Sequence, residues 1–331
     1  MITVENGHFP SVSVVIPIRN EEKFISQCID SILGQDYPTS KLEILTVDGM
    51  SEDKTKTILN EYAKLHTNIK IINNPSKITP KAFNIGVKNS TGEIITILSA
   101  HSVYSKNYIS KCVEYLNKTG ADNVGGICEH IGDGFVGQAI ALALGCKFGL
   151  GGAKFRTAKK AQYVDTVFPN AWRRKVFEKY GYFNEKLVRN QDIEHNARIR
   201  KKGGKIFLTP EIKSYYYCRS NLKDLWIQHF RTGLWNIKTL IIAPGSLSLR
   251  HFVPLFFVLS LLATWPIFAL WLSIIMSYIF CNIFFSLKVA LKNGFRYLFV
   301  MPIIFLTLHL SYGLGSVAGI LILPFRYRYI W

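Results

Sequence analysis

Residues 11–22 read SVSVVIPIRNEE, and residues 42–49 read LEILTVDG. Each is a short β-branched run that stops on polar or charged residues, the pattern of a buried strand feeding a loop. Between them Phe24, Ile25, Cys28, Ile29, Ile32 and Leu33 recur at a helical period. A second helix is expected from Asp53 to Leu65, with Ser51 as its N-cap. Ile69 to Ile72 reads as a third strand. Thr79 to Asn89 reads as a helix with Pro80 in its first turn, and Glu93 to Leu98 as a fourth strand. This alternation predicts an α/β fold with a mostly parallel sheet flanked by helices. Right-handed crossovers bring the strand C-terminal ends to one side, where a ligand sits. Four polar strand ends should therefore line one crevice: Arg19-Asn20-Glu21, Asp48, Asn73-Asn74 and Ser99-Ala100-His101. Taken singly, each is equally an ordinary cap or turn residue.

Charge and hydropathy divide the chain. It has 331 residues, 49% of them hydrophobic, and a formal net charge of +18. That excludes a disordered chain. All 22 acidic residues lie at or before Asp224, whereas 8 of the 40 Lys and Arg follow it. A folded domain is thus followed by an apolar, basic, acid-free tail, as in a protein that faces anionic lipid. The bases are dispersed and no nucleic-acid motif accompanies them, so nucleic acid is not an expected partner. Six scattered cysteines have no C-x-x-C pair, and the first ten residues do not read as a signal peptide. Reduced thiols in the cytosol are expected.

The middle, Gly120 to Val164, is glycine-rich without a dinucleotide fingerprint, and reads as mobile backbone near a ligand. Val176 to Tyr180 and the stretch opening at Asn190-Gln191-Asp192 read as helices. Asp192 then occupies a helix N-terminus, where a carboxylate is also favoured by the dipole alone. Leu222, Leu225, Trp226, Phe230, Leu234 and Ile237, with basic residues between, read as an amphipathic helix on a membrane surface or a core helix. Phe252 to Leu287 is 36 residues without a charge, and Tyr297 to Pro324 is a second uncharged run. Both are long enough to span. The basic segments Lys288–Arg296 and Arg326–Arg328 both ask for the cytosol, which two simple spans do not provide. Two to four spans are expected, with three favoured.

The ordered set VVIPIRNEE, VDGMSEDKT, LSAHSVYSKNYI and RNQDIEHNARIRKKGGKI resembles the inverting family 2 glycosyltransferases of GT-A fold. FGLGGAKFR, VDTVFPNAWRRKVFEKYGYFNEKLVRN and SLRHFVPLFFVL are similar to the succinoglycan-type exopolysaccharide enzymes. The resemblance covers Ser11 to Val258. Together with the change of hydropathy after residue 220, it divides the chain into a catalytic domain over residues 1–220, an amphipathic interfacial region over 221–250 and a transmembrane region over 251–331. It also implies sugar transfer from a nucleotide-sugar, usually a UDP-sugar, to a lipid-linked saccharide. The setting would be the inner face of a bilayer, with a cytoplasmic catalytic domain. By the same resemblance Pro17, Asn20 and Glu21 border the nucleoside, and Asp48 accepts from the uracil ring. Lys81 and Asn84 flank the ribose and diphosphate. Asp192 is the base that deprotonates the acceptor hydroxyl. A nearby helix N-terminus and Arg189 should depress its pKa, unless burial raises it. Gln228, Arg231 and Trp235 match a Q-x-x-R-W-like element where Arg pairs with diphosphate and Trp stacks on sugar; Trp235 serves equally as an interfacial anchor.

Two departures from the family pattern bear on mechanism. Its D-x-D metal motif reads Ser99-Ala100-His101 here, and the Glu before the base is Gln191. His101 is left either as a ligand to Mn²⁺ or, less comfortably, Mg²⁺, or as a metal-free diphosphate donor. Two other readings stay open: a polyprenyl-phosphate sugar synthase, which needs no hydroxyl base, and a catalytically dead membrane scaffold.

Overall fold

The expected strand–helix alternation opens the chain, for which a computed structural model describes residues 9–322. It runs β1 (Val12–Ile18), α1 (Ile25–Leu33), β2 (Leu42–Asp48), α2 (Thr55–Leu65), β3 (Ile69–Asn73), α3 (Thr79–Asn89) and β4 (Ile94–Ile97). β3, β2, β1 and β4 lie side by side and pair parallel. Their register sets Ile18, Asp48 and Asn73 abreast at one end. Side chains alternate between two cores. Val14, Ile16 and Ile44 pack with Ile25, Ile29 and Leu116 on one face; Val15, Leu45 and Val47 pack with Phe83, Trp172 and Phe177 on the other. A parallel sheet needs both faces covered, and the β-branched runs supply apolar residues to both.

Beyond β4 the sheet is not parallel. The chain continues through β5 (Ser102–Tyr104), α4 (Tyr108–Thr119), β6 (Asn123–Ile131), α5 (Gly134–Gly145), α6 (Lys147–Leu150), α7 (Lys154–Thr157) and β7 (Gln162–Tyr163). It then forms β8 (Asn170–Arg173), α8 (Lys175–Tyr180), α9 (Gln191–Lys201) and β9 (Ile206–Tyr217). The strand order is β3-β2-β1-β4-β8-β6-β9-β5, with β7 on β9, and β8 pairs antiparallel with both β4 and β6. The parallel reading therefore holds for the first half of a mixed sheet. Ser51 does not cap α2: its hydroxyl is taken by Asp48, and Asp53 accepts from the Thr55 amide instead.

The last helices are α10 (Leu222–Ile242), α11 (Val253–Thr264), α12 (Phe268–Asn293) and α13 (Met301–Ile322). Two compact units result. One holds the described part of Met1–Glu129 with Lys154–Tyr216; the other holds His130–Ala153 with the described part of Tyr217–Trp331. The glycine-rich middle is thus not a mobile loop throughout. Its run GFVGQAIALALG forms α5, which buries Ala139, Ile140, Ala143 and Leu144 against Met301, Ile304 and Phe305 of α13. Small and apolar residues outweigh the glycines there, because a helix packed on a neighbour draws most of its stability from the buried face.

Within the helical unit, α10 packs closely along α13. A Cβ at Gly233 would stand 2.0 Å from the Tyr312 carbonyl oxygen, and one at Gly315 would stand 2.0 Å from that of Phe230. Small residues permit this backbone approach. Buried Asn236 donates to the Tyr312 hydroxyl at 2.6 Å. Of the two sequence readings of the 222–242 stretch, the packed helix describes one face of α10, while Trp226, Ile227, Leu240 and Ile241 stay exposed on it. Among the described residues two helices, α12 and α13, are long and apolar enough to cross a membrane; α11 is shorter. Arg326 and Arg328 lie outside the described residues.

Candidate active site

The loops after β1 and β2 are locked together. Asn20, at a left-handed φ of 55°, donates its amide to Ser51 Oγ at 3.0 Å and accepts from the Glu52 amide at 2.9 Å. The Glu21 amide donates to Thr55 Oγ1, and the Lys54 amide donates to Glu22. This mutual tie fixes the two loops against each other. Asp48, the last residue of β2, is fully buried, and its Oδ1 accepts from the Ser51 hydroxyl at 2.6 Å and from the Ser51 amide at 3.1 Å. Its carboxylate is oriented in advance, and Asn74 closes the same corner by donating its amide to the Asp48 carbonyl at 2.7 Å. Pro17 is partly exposed on β1 beside Val47.

The ends of β1 and β4 meet through a side-chain pair. His101 Nδ1 lies 2.8 Å from Glu21 Oε1, and Tyr216 packs edge-on to the imidazole at 4.8 Å. Ser99 is buried, and its backbone amide and carbonyl are both bonded to the Tyr104 hydroxyl. Lys81 is half-buried with Nζ on Ser76 Oγ at 3.0 Å. Asn84 has a different surrounding from the one its motif suggests. It is buried, its Nδ2 donates to the Phe183 carbonyl and to Glu185 Oε1, each at 2.9 Å, and its Oδ1 accepts from the Phe183 amide. Its amide is engaged by the chain itself and ties α3 to the turn before α9, which is a role the expected place beside the ribose and diphosphate did not include.

Asp192 is the second residue of α9, partly exposed at its surface. Loss of solvent around it raises its pKa above the usual carboxylate value, against the amides of Ile193 and of Asp192 itself. Burial therefore prevails over the helix dipole, and Arg189 is not among the causes. Three residues on, His195 is fully buried, with Nε2 donating to the Gly181 carbonyl at 3.0 Å and its ring stacked on Phe177. Desolvation, with Arg198 nearby, pushes its pKa down to about 3. The unfolded histidine gains a proton below about pH 6.5, and the folded one does not until about 3. Its stabilising contribution is complete above 6.5 and is lost as pH falls toward 3. Thermal melts should show a loss of about 2 kcal/mol from this group between pH 7.5 and pH 5. His195→Asn should lose less over that interval than the parent; equal losses would remove the histidine from the account.

In the helical unit Gln228, Arg231 and Trp235 fall three and four residues apart on α10 and so share one of its faces. Arg231 is exposed, and Lys238 Nζ lies 4.5 Å over the Trp235 ring. Sequence reasoning missed Tyr216, Thr55 and the Asn84 tie. Each acts through a partner 34 to about 115 positions away, and no local pattern signals such a pairing.

A divalent ion asks for several hard donors. Among the described residues no group of three or more His, Cys, Asp or Glu is arranged to hold one. Glu21 and His101 supply a pair, already bonded to each other. The residues present do not by themselves fit a resident metal.

The family description "Glycosyl transferase family 2" matches residues 13–181, just over half of the chain. A Methanococcus voltae protein is 29% identical over 321 residues, covering 94% of this chain and 97% of its own. It is named as a dolichyl N-acetyl-α-D-glucosaminyl phosphate 3-β-D-2,3-diacetamido-2,3-dideoxy-β-D-glucuronosyltransferase. The succinoglycan biosynthesis protein ExoA of Rhizobium meliloti is 28% identical, covering 73% of this chain and 74% of its own. In solved structures, a mannosyltransferase from Pyrobaculum calidifontis in complex with GDP-Man and Mn²⁺ aligns with a TM-score of 0.60 at 16% identity. It covers 95% of this chain and 88% of its own. TarS of S. aureus with UDP-GlcNAc aligns at 0.54 and 16%, covering 96% and 93%. At that identity these two likenesses speak to the fold alone.

Proposed function

The chain belongs to glycosyl transferase family 2, and we propose that it transfers a sugar, with inversion, from a UDP-sugar to a lipid-linked saccharide during exopolysaccharide or related surface-glycan assembly. The observation that carries this reading is Asp192: one carboxylate, partly open at its surface and raised in pKa, heading a helix in the unit that also holds the pre-oriented Asp48. In the proposed reaction an acceptor hydroxyl oxygen attacks the anomeric carbon from the face opposite the diphosphate. Its proton passes to Asp192 as the new C–O bond forms. The bond to the diphosphate oxygen breaks, and the nucleoside diphosphate leaves with that electron pair. A carboxylate that is more basic than usual takes the proton more readily, provided it is ionised at working pH.

Asp48 is proposed to accept from the imide N–H of a uracil, an interaction that rejects a base lacking that donor. His101 is proposed to border the diphosphate, held by Glu21 on the nucleoside side through the bond between them. Gln228, Arg231 and Trp235 are proposed to meet the diphosphate or the acceptor. α12 and α13 are proposed as the membrane anchor, with the catalytic unit cytoplasmic; the long, apolar, largely exposed α12 supports this. The lipid-linked acceptor is supported by the printed name of the M. voltae relative, whose substrate is already a saccharide on dolichyl phosphate. That favours a hydroxyl acceptor over a bare lipid phosphate.

The test is nucleoside-diphosphate release by the full chain in nanodiscs, across a panel of UDP- and GDP-sugars, with and without extracted lipid-linked saccharides. Release from one UDP-sugar only when acceptor is present is expected. Nucleotide binding without turnover anywhere on the panel would favour the scaffold reading. The same assay in EDTA should retain most activity, and His101→Ala should lower it with or without Mn²⁺. Loss of activity in EDTA, restored by Mn²⁺, would return His101 to the role of metal ligand.

A further inference from the structure

The helix that carries Asp192 is fastened to one short turn from two directions. Arg198, on the same helix, grips Glu194 with a two-pronged bond, Nε to Oε1 at 3.0 Å and NH2 to Oε2 at 2.9 Å. The same guanidinium reaches off the helix, donating through NH1 to the Tyr180 carbonyl at 2.5 Å and through NH2 to the Tyr182 carbonyl at 2.8 Å. His195 adds its bond to the Gly181 carbonyl between them. Three successive carbonyls, 180 to 182, are thus held by two side chains of α9. Gly181 sits at φ 82°, and a Cβ there would stand 2.9 Å from Arg198 NH1, so the turn leaves room for the guanidinium only as glycine.

The next residues of that turn are held from α3. Asn84 closes a cyclic amide pair with the Phe183 backbone, donating to its carbonyl and accepting from its amide, and also donates to Glu185. The Phe183 ring packs edge-on to Phe83 at 4.9 Å and tilts over His195 at 4.6 Å. On the other flank of α9, Asn196 donates to Thr166 Oγ1 at 2.9 Å and accepts from Asn123 Nδ2 at 2.6 Å, both partners buried. The helix has no remaining freedom to rotate or slide without breaking one of these bonds. Losing a buried partner strands the other at the full cost of desolvation.

We infer that Asn84, His195 and Arg198 are positioning residues that hold Asp192 in register with α3 through the turn at residues 180–185. This rests on the reading of Asp192 as the base. A base displaced by about 1 Å loses on the order of 100-fold in rate even when the fold survives. The turn therefore transmits the position of α3, whose first turn bears Lys81, to the carboxylate at the head of α9. Apart from the Glu194–Arg198 pair the side chains of this arrangement are uncharged, so it stiffens the site without adding further charge near the carboxylate. That pair is internally neutral.

The experiment uses the full chain and four variants: Arg198→Gln, Arg198→Lys, Asn84→Ser, and Asn84→Ser combined with Arg198→Gln. Three quantities are read: UDP affinity by calorimetry, kcat for acceptor-dependent UDP release, and titration of the Asp192 carboxyl by ¹³C NMR of labelled aspartate, assigned with Asp192→Asn. Arg198→Gln should lower kcat by about 10- to 100-fold with UDP affinity within about twofold. The Asp192 titration should move down toward the ordinary carboxylate value as water reaches the loosened helix. Arg198→Lys should stand close to Arg198→Gln, since an ammonium cannot span Glu194 and two carbonyls in one plane. The double variant should be no worse than the poorer single one, because both loosen one turn. An unmoved Asp192 titration in folded variants would overturn the inference. So would multiplicative losses, or kcat and UDP affinity falling together. The NMR arm needs no turnover, so it decides the positioning claim even if Asp192→Asn stays active and the base assignment fails.

Discussion

Asp192→Asn should lower acceptor-dependent turnover by roughly 1,000-fold, leave UDP affinity within about twofold, and raise the melting temperature of the catalytic unit. The first two effects follow if Asp192 is the proposed base, taking the proton of the acceptor hydroxyl without touching the nucleotide. The third follows from linkage. The folded pKa of Asp192 is raised by burial, so the folded state prefers the protonated carboxyl. The contribution of this group to stability is complete below the unfolded value and is lost as pH rises through the folded one. At neutral pH the ionised carboxylate is thus a cost to folding, which a neutral amide of the same shape removes. Activity down and stability up, together, separate a strained catalytic group from a structural cap, whose loss lowers both. Kinetics and differential scanning fluorimetry on the same preparation read the two effects, and retained turnover would remove the base assignment.

Gly315→Val should have the largest effect on stability. The new Cβ would lie 2.0 Å from the Phe230 carbonyl oxygen, which belongs to helix backbone and cannot swing aside. α10 and α13 must separate, and the buried bond from Asn236 to the Tyr312 hydroxyl goes with them. Overpacking of this kind, with a stranded buried amide, costs about 3 kcal/mol or more. The full chain in detergent should aggregate, or melt at least about 10 °C lower by thermal size-exclusion. Gly145→Ala is the control: nothing lies within 4 Å of its Cβ position, and it should be neutral or slightly stabilising. Equal behaviour of the two variants would contradict the close packing of α10 on α13.

The first half of the fold was legible because its signals are local. Val12–Ile18, Leu42–Asp48 and Ile94–Ile97 are β-branched runs, and Ile25, Cys28, Ile29 and Ile32 repeat at a helical period. The antiparallel half was not, because β8 finds β4 across more than seventy residues and nothing in NAWR specifies that partner. α5 was misread because glycine count was weighed above the alanine, isoleucine and leucine that pack its face. At the strand ends, β2 stops on Asp48, and Glu21 and His101, which follow β1 and β4, are bonded to each other. Asn84 and Lys81 looked alike in sequence, one helical turn apart, yet one is buried in a bonded pair and the other, half-buried, donates to Ser76. Which residue of a helix faces the sheet and which faces the crevice depends on how that helix is rotated. That rotation is set by distant partners such as Phe183.

The most direct test of the account is the stereochemistry of the product. The full chain in a bilayer is supplied with the active α-linked UDP-sugar and extracted lipid-linked saccharide, and the released glycan is examined by NMR for the anomeric coupling constant of the new linkage. Single displacement with Asp192 as base predicts a β-linkage, formed in the parent and lost in Asp192→Asn. An α-linkage would mean retention, and would contradict both the mechanism and the role assigned to Asp192.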